Sequence, residues 1–164
     1  MAGTVKKEKG DDRKYMELAL EEATKGLVKD EVPVGALVVH QRKIIGMGYN
    51  RREELQEPTS HAEILALREA SASLGSWRLD DCTLYVTLEP CIMCTGAIIQ
   101  ARVPRLVFGC HDPKGGAVES LYRLCDDPRL NHSVEITSGI MKEQCARILS
   151  GFFISLRQKN QISA

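Results

Sequence analysis

The chain lacks an excess of charge of either sign: 22 lysines and arginines balance 22 aspartates and glutamates over 164 residues. That excludes a large one-signed field as the means of capturing a polyanion, although a local basic patch is still allowed. It lacks any apolar run long enough to span a bilayer, so no membrane partner is expected. Met1 to Gly10 carries lysines but no apolar core segment, so no secretory signal is expected there. It also lacks internal repeats, a linker, and a second Cys-x-x-Cys pair among its six cysteines. With no signal in front of them, those cysteines are expected to be reduced and cytoplasmic, two serving chemistry and four buried.

At 164 residues and 43% hydrophobic content, the chain can build one domain with a real core. The stretch from Ser60 to Cys94 carries the chemistry. It opens with Ser60-His61-Ala62-Glu63 and closes with Glu89-Pro90-Cys91-Ile92-Met93-Cys94. An imidazole and two thiolates suit zinc, and a catalytic zinc takes three protein ligands with water in the fourth place. Zinc lowers the pKa of that water to about 7. Glu63, two residues past His61, can reach the same centre and move protons without being a ligand. Cys91 and Cys94 are three apart and share a face if helical. Pro90 marks a helix start, and so does the apolar run after Ala62. Two helix N-termini aimed at the metal would favour thiolates.

Hydrophobic periodicity places the elements around this stretch. Residues 1–10 read as a disordered tail and 11–160 as the domain. A helix is expected from Asp11 or Asp12 to about Lys29, with Met16, Ala19, Leu20, Ala23 and Leu27 at helical spacing. Val34 to His40 and Lys43 to Tyr49 read as a hairpin about Gln41-Arg42. After a polar loop, a helix runs from His61 to near Gly75. Cys82 to Leu88 is a buried strand, and the Cys91 helix follows to about Arg102. Arg105 to Cys110 is a fourth strand and Val134 to Thr137 a fifth. Between them lies a loop at His111 to Gly116 and a short helix candidate at Val118 to Leu124. Ile140 to Lys159 is a final helix, with Ile148, Leu149, Phe152, Phe153 and Leu156 along one side. The order α-β-β-α-β-α-β-α-β-α predicts a three-layer α/β/α fold. Its five-stranded mixed sheet begins with an antiparallel hairpin and continues with parallel strands. More than twenty residues with a helix separate strands four and five, so the fifth should run parallel to the fourth.

The His-x-Glu and Pro-Cys-x-x-Cys halves together resemble the signature of zinc-dependent nucleobase deaminases. With Glu31-Val32-Pro33-Val34-Gly35-Ala36, Asn50, Pro58-Thr59, Leu84 to Cys91, Asp112 to Gly116, Asn131-His132 and Phe152-Phe153, the chain resembles the cytidine-deaminase-like superfamily from about Asp12 to Arg157. Within that superfamily it is most similar to the bacterial tRNA adenosine deaminases. The resemblance implies a cytoplasmic homodimer that converts adenosine to inosine at the wobble position of a tRNA anticodon stem-loop. It implies one Zn2+ per subunit on His61, Cys91 and Cys94, with Glu63 moving protons. Asn50 would contact the target nucleoside and Asp112 and Lys114 the anticodon strand; of Phe152 and Phe153 one faces the core, and Phe153 is taken as the one that meets the RNA, with the choice between them open. Ser60 stands where the family usually has alanine.

Other readings stay open at this stage. Cys-x-x-Cys also serves structural zinc and redox pairs. A deaminase of a free base or nucleoside would share the chemistry, and the Asp112 to Gly116 loop and the fifth strand's direction would separate the two. A non-catalytic zinc scaffold would not need Glu63. Arg102, Arg105, Lys114, Arg147 and Arg157 form either a phosphate-binding surface or a solvated face, and His111 and His132 read as surface or capping residues. Ile98-Ile99 would be consistent with an interface beside the Cys91 helix.

Overall fold

In the computed structural model, which describes residues 9–163, strand β1 (Gly35–His40) sits inside the sheet because both its faces are apolar. Ala36 and Val38 pack to one side, Leu37 and Val39 to the other. Strand β2 (Lys43–Tyr49) folds back on it antiparallel. Gln41 and Arg42 make the turn with φ of 48° and 64°, the left-handed backbone that a two-residue hairpin requires. Strand β3 (Cys82–Leu88) pairs antiparallel with the other side of β1. Strands β4 (Arg105–Cys110) and β5 (Glu135–Ser138) then add in parallel, giving the order β2-β1-β3-β4-β5. The mixed five-stranded sheet, with its fifth strand parallel to its fourth, is as expected from the connection lengths.

Helices cover both faces. Helix α1 (Lys9–Thr24) brings Tyr15, Met16 and Ala19 onto Leu37, Tyr85 and Val107, and α5 (Lys142–Ile162) brings Cys145 to the same core. On the opposite face, α3 (Ala62–Leu74) and α4 (Ile92–Gln100) pack Ala66, Ala70, Ile98 and Ile99 against Val38, Leu84, Val86 and Phe108. Helix α3 lies directly on β2. A Cβ at Gly46 would come within 2.2 Å of the Ala66 carbonyl oxygen, and one at Gly48 within 2.4 Å of that of Ala62. Those two glycines therefore set the depth at which α3, the helix of His61 and Glu63, rests on the sheet.

Several expectations need correction. Helix α1 begins at Lys9, so the proposed tail falls outside the described residues only over 1–8. It stops at Thr24 rather than Lys29; Gly26 is a poor helix former, and Leu27–Lys29 continues as a separate 3-10 turn. A single turn, α2 (Arg52–Leu55), forms inside the loop that follows β2, where the buried Glu31 carboxylate accepts the Glu54 amide N–H at 2.6 Å. The helix expected over Val118 to Leu124 is absent. The amides of Val118, Glu119 and Ser120 donate to the Glu89 carboxylate, so the chain wraps around that side chain, and only Leu124–Asp126 forms a 3-10 turn. Ile98 and Ile99 belong to the chain's own core and offer no interface.

Arg105 is likewise no surface cation. Its guanidinium forks onto buried Asp12 at 2.8 and 2.7 Å, and Tyr85 Oη donates to the same carboxylate at 2.9 Å. This contact ties α1 to β3 and β4 across 93 residues of sequence. Burial alone would raise the Asp12 carboxyl, but the Arg105 and Tyr85 hydrogen bonds outweigh it and hold it below the usual carboxylate range. A depressed carboxyl stabilises the fold above its unfolded pKa, about 3.9, and that contribution disappears as pH falls through the folded value. Asp12→Ala is expected to leave the Arg105 charge buried and unpaired, lowering stability by about 3–5 kcal/mol at neutral pH. Urea melts at pH 7 and near pH 3 check this, and the gap between variant and wild type should shrink at the acid end.

Candidate active site

All the strand ends that matter meet at one edge of the sheet. Strands β3 and β4 run parallel, so Cys91 and Asp112 emerge together beyond Leu88 and Cys110. Strand β1 runs the other way, and the start of β1 and the end of β2 arrive at the same edge through the Gly35–Tyr49 pair. Asn50 follows directly. A cleft of about 1040 Å³ opens there, lined by Asn50, His61, Glu63, Cys91, Asp112, Lys114 and Phe153. Ligands bind at this edge in open α/β sheets. Of the expected metal, proton-carrying and substrate residues, all line this cleft except Cys94, which is buried.

His61 and Cys91 occupy the N-cap positions of α3 and α4. Neither side chain caps its own helix. Each is turned instead to a common point: His61 Nδ1 lies 3.6 Å from Cys91 Sγ and 3.5 Å from Cys94 Sγ. Tetrahedral zinc with bonds of about 2.3 Å to sulfur and about 2.0–2.1 Å to nitrogen separates those atoms by roughly 3.5–3.6 Å. The donor set and its spacing therefore fit zinc. Among the described residues, these three ligand atoms lie within 4.8 Å of one another, and no fourth protein ligand joins them. The Cys94 and His61 hydrogen bonds pull Cys91 down to about 4, whereas the proton shared with Cys91 and burial push Cys94 up. A metal held here would displace that proton, since both sulfurs would bind as thiolates.

Glu63 sits in the first turn of α3 and is buried. Burial pushes its carboxyl up to about 7, the range in which one group can both take and give a proton. Before His61, the Ser60 hydroxyl is buried and donates to the Glu57 carboxylate. Ser60 thus closes the turn leading to His61. The other four cysteines, Cys82, Cys110, Cys125 and Cys145, are buried and unpaired, and burial raises their thiols to about 11 or 12. Buried thiols of this kind are poor nucleophiles.

The cleft's far wall comes from α5. Phe152 is buried, while Phe153 is 44% exposed and faces the cleft. Adjacent helical residues point about 100° apart, so only one could reach the core. Arg157 and Lys114 line the cleft; Arg147 lines a smaller groove on α5, and Arg102 bonds to the Ile99 carbonyl. His132 bonds to the Val103 carbonyl at 2.8 Å, as a capping residue would. Sequence reasoning missed Arg52 and His111, which also line the cleft, and Glu89, whose role depends on a long-range contact.

This geometry, a His-x-Glu helix and a Cys-x-x-Cys helix meeting at the open edge of a β2-β1-β3-β4-β5 sheet, defines a cytidine-deaminase-like enzyme. The family model of the MafB19-like deaminases matches residues 10–157. The chain belongs to the bacterial tRNA-specific adenosine deaminase family and is a hydrolase of a carbon–nitrogen bond. A tRNA-specific adenosine deaminase of Bacillus subtilis (strain 168) is 47% identical over 150 residues, covering 92% of this chain and 93% of that protein. A solved structure of a tRNA:A34 deaminase, from work on A-to-I editing at the wobble position, superposes with a TM-score of 0.80 at 47% identity. The match covers 83% of this chain and 99% of that one. The guanine deaminase of Nitrosomonas europaea is similar at 26% identity and TM-score 0.70, over 85% of this chain and 83% of its own.

Proposed function

We propose that the chain carries out zinc-dependent hydrolytic deamination of adenosine to inosine at the wobble position of a tRNA anticodon, as a cytoplasmic homodimer with one zinc per subunit. The observation that supports it most is the assembly of Glu63, Asn50 and the Asp112–Lys114 loop around the His61–Cys91–Cys94 group, in a chain 47% identical to a tRNA-specific relative. His61, Cys91 and Cys94 would hold the zinc, which when bound supplies the Lewis acidity that makes water nucleophilic near neutral pH.

The remaining steps belong to the protein's own side chains. Glu63 takes a proton from the attacking water and gives one to adenine N1 as C6 is attacked. It then takes the proton of the new C6 hydroxyl and passes it to the departing amino nitrogen, so the C6=O bond forms as the C6–N bond breaks and water and adenosine become inosine and ammonia. The Asn50 side chain makes long bonds of 3.4 Å to the Val32 carbonyl and from the Arg52 amide, leaving its amide able to orient the nucleoside. A stacked base must be drawn out of its loop to reach this cleft. Phe153 offers an aromatic face for a splayed base, and Lys114 a charge for a phosphate. Asp112 Oδ1 accepts the amides of Lys114 and Gly115 at 3.0 and 3.1 Å, which fixes the loop that presents Lys114.

The test is a synthetic anticodon stem-loop with a wobble adenosine, offered beside free adenosine, cytidine and guanine. Turnover of the stem-loop alone is expected, because contacts to flanking nucleotides position the base. Equal turnover of a free base or nucleoside would replace this reading with the free-substrate one. Asp112→Asn and Lys114→Ala are expected to weaken stem-loop deamination with zinc content unchanged. Losing one phosphate contact should also lower the slope of log affinity against log salt by about 0.7 in Lys114→Ala, measured by stem-loop binding titrations. The dimer is tested by light scattering at working concentration. Ile92, Leu121 and Tyr122 are exposed apolar side chains suited to an interface, and a fully active monomer would contradict it.

A further inference from the structure

We infer that Glu89 is a positioning residue for the RNA: its buried carboxylate holds the Asp112–Lys114 loop at a fixed place relative to the thiolate segment. The inference rests on the stem-loop reading above. Glu89 stands at the end of β3, directly before Pro90 and Cys91, and is almost wholly buried. Burying a carboxylate is costly unless its oxygens are fully hydrogen-bonded. Here five donors meet it. Oε1 accepts the Asp112 amide at 3.1 Å and the Ser120 hydroxyl. Oε2 accepts the amides of Val118, Glu119 and Ser120 at 3.1, 2.8 and 2.9 Å.

These donors bracket the loop on both sides of Gly115 and Gly116. The loop is otherwise irregular, so this carboxylate takes the place of the secondary structure it lacks. A Cβ on Gly116 would lie 2.2–2.4 Å from the carboxylate, so the loop closes this tightly only with glycine there. Two further bonds tie the same backbone to the ligand segment: the Ala117 amide donates to the Pro90 carbonyl and the Glu89 amide to the Cys110 carbonyl, each at 2.9 Å. Asp112 and Lys114 line the cleft at the near end of this wrapped loop. Glu89 therefore fixes the distance from the metal-ligand helix to the RNA contacts. A preorganised loop of this kind lowers the ordering cost of binding the flanking nucleotides.

The test uses full-length, zinc-loaded enzyme and the stem-loop substrate. Glu89→Gln keeps the shape but turns one acceptor into a donor facing donors. KM for the stem-loop is expected to rise about tenfold, from buried amides left unpaired. Zinc should stay at one per chain, and kcat should change by less than about threefold, because binding rather than chemistry is altered. Gly116→Ala, which pushes on the carboxylate from the other side, should give the same split. Lys114→Ala is then added to Glu89→Gln. If Glu89 acts through the loop, the second change adds less than about twofold, because the two residues are coupled. Independent, multiplying effects would overturn the inference, and so would a loss falling on kcat with KM unchanged. Should Glu89→Gln fail to fold, Ser120→Ala removes a single donor; a smaller KM rise supports the inference and an unchanged KM overturns it. Wild-type enzyme inactive on the stem-loop would remove the substrate reading itself, whereas active wild type with multiplying mutants would remove Glu89 alone.

Discussion

Glu63→Gln is expected to retain its zinc and lose turnover by about 10²–10⁴-fold or more. The amide keeps the volume and packing of the first turn of α3 but can neither take nor give a proton. The wild-type carboxyl is placed for both, since burial raises it to about 7. The lower limit is what removing general acid–base help typically does. A residue used at both the attack and the departure of ammonia should exceed it. Inosine formation in the stem-loop and metal analysis on the same preparation decide the matter, and near-normal turnover would remove Glu63 from the mechanism. A second, opposite effect is expected on stability. A carboxyl raised above its unfolded value disfavours folding once it must ionise, so in metal-free wild type this burden grows as pH climbs from about 4 to beyond 7. Glutamine never ionises. Metal-free Glu63→Gln should therefore match wild type near pH 4 and be the more stable protein at pH 8, which paired thermal melts will show.

That trade between function and stability explains which parts of the molecule could be read from its residues. The sheet and its helices were legible because they follow periods of 2 and 3.6, and the direction of β5 followed from a connection too long for a hairpin. That His61, Glu63, Cys91 and Cys94 would gather at one point was legible because the side chains that could hold a metal and carry protons stand at particular spacings. What could not be read depends on contacts distant in sequence. Arg105 reads as one of several scattered cations until Asp12 lies against it. Val118 to Leu124 reads as a helix until Glu89 takes its amides. Phe152 and Phe153 are interchangeable as letters, and only the placement of α5 at the cleft's edge puts one in the core and the other in the cleft. Gly46 and Gly48 pass unnoticed inside the Lys43 to Tyr49 strand, yet they are where α3 touches the sheet.

The residues proposed to hold the metal should govern stability as well as activity. Cys94 is fully buried and is the third residue of α4, packed between the core and Cys91. Replacing it with alanine leaves His61 and Cys91 as a two-ligand site, which a tetrahedral ion holds poorly. Metal content is therefore expected to fall to near zero after dialysis, and turnover with it. The fold itself should persist, because two apolar cores flank the sheet independently of the site. What disappears is the linkage term: an ion present at about 1,000 times its dissociation constant stabilises the native state by about 4 kcal/mol. For a chain of this size each kcal/mol moves the melting temperature by about 2–4 °C, so Cys94→Ala should melt roughly 8–16 °C below zinc-loaded wild type. A chelator should bring wild type down to nearly the same temperature and leave the variant unmoved. The difference should also narrow as pH falls, because protons compete for the thiolates and the imidazole. A variant that keeps one zinc per chain, or a wild type whose melting ignores the chelator, would mean that His61, Cys91 and Cys94 do not hold the metal.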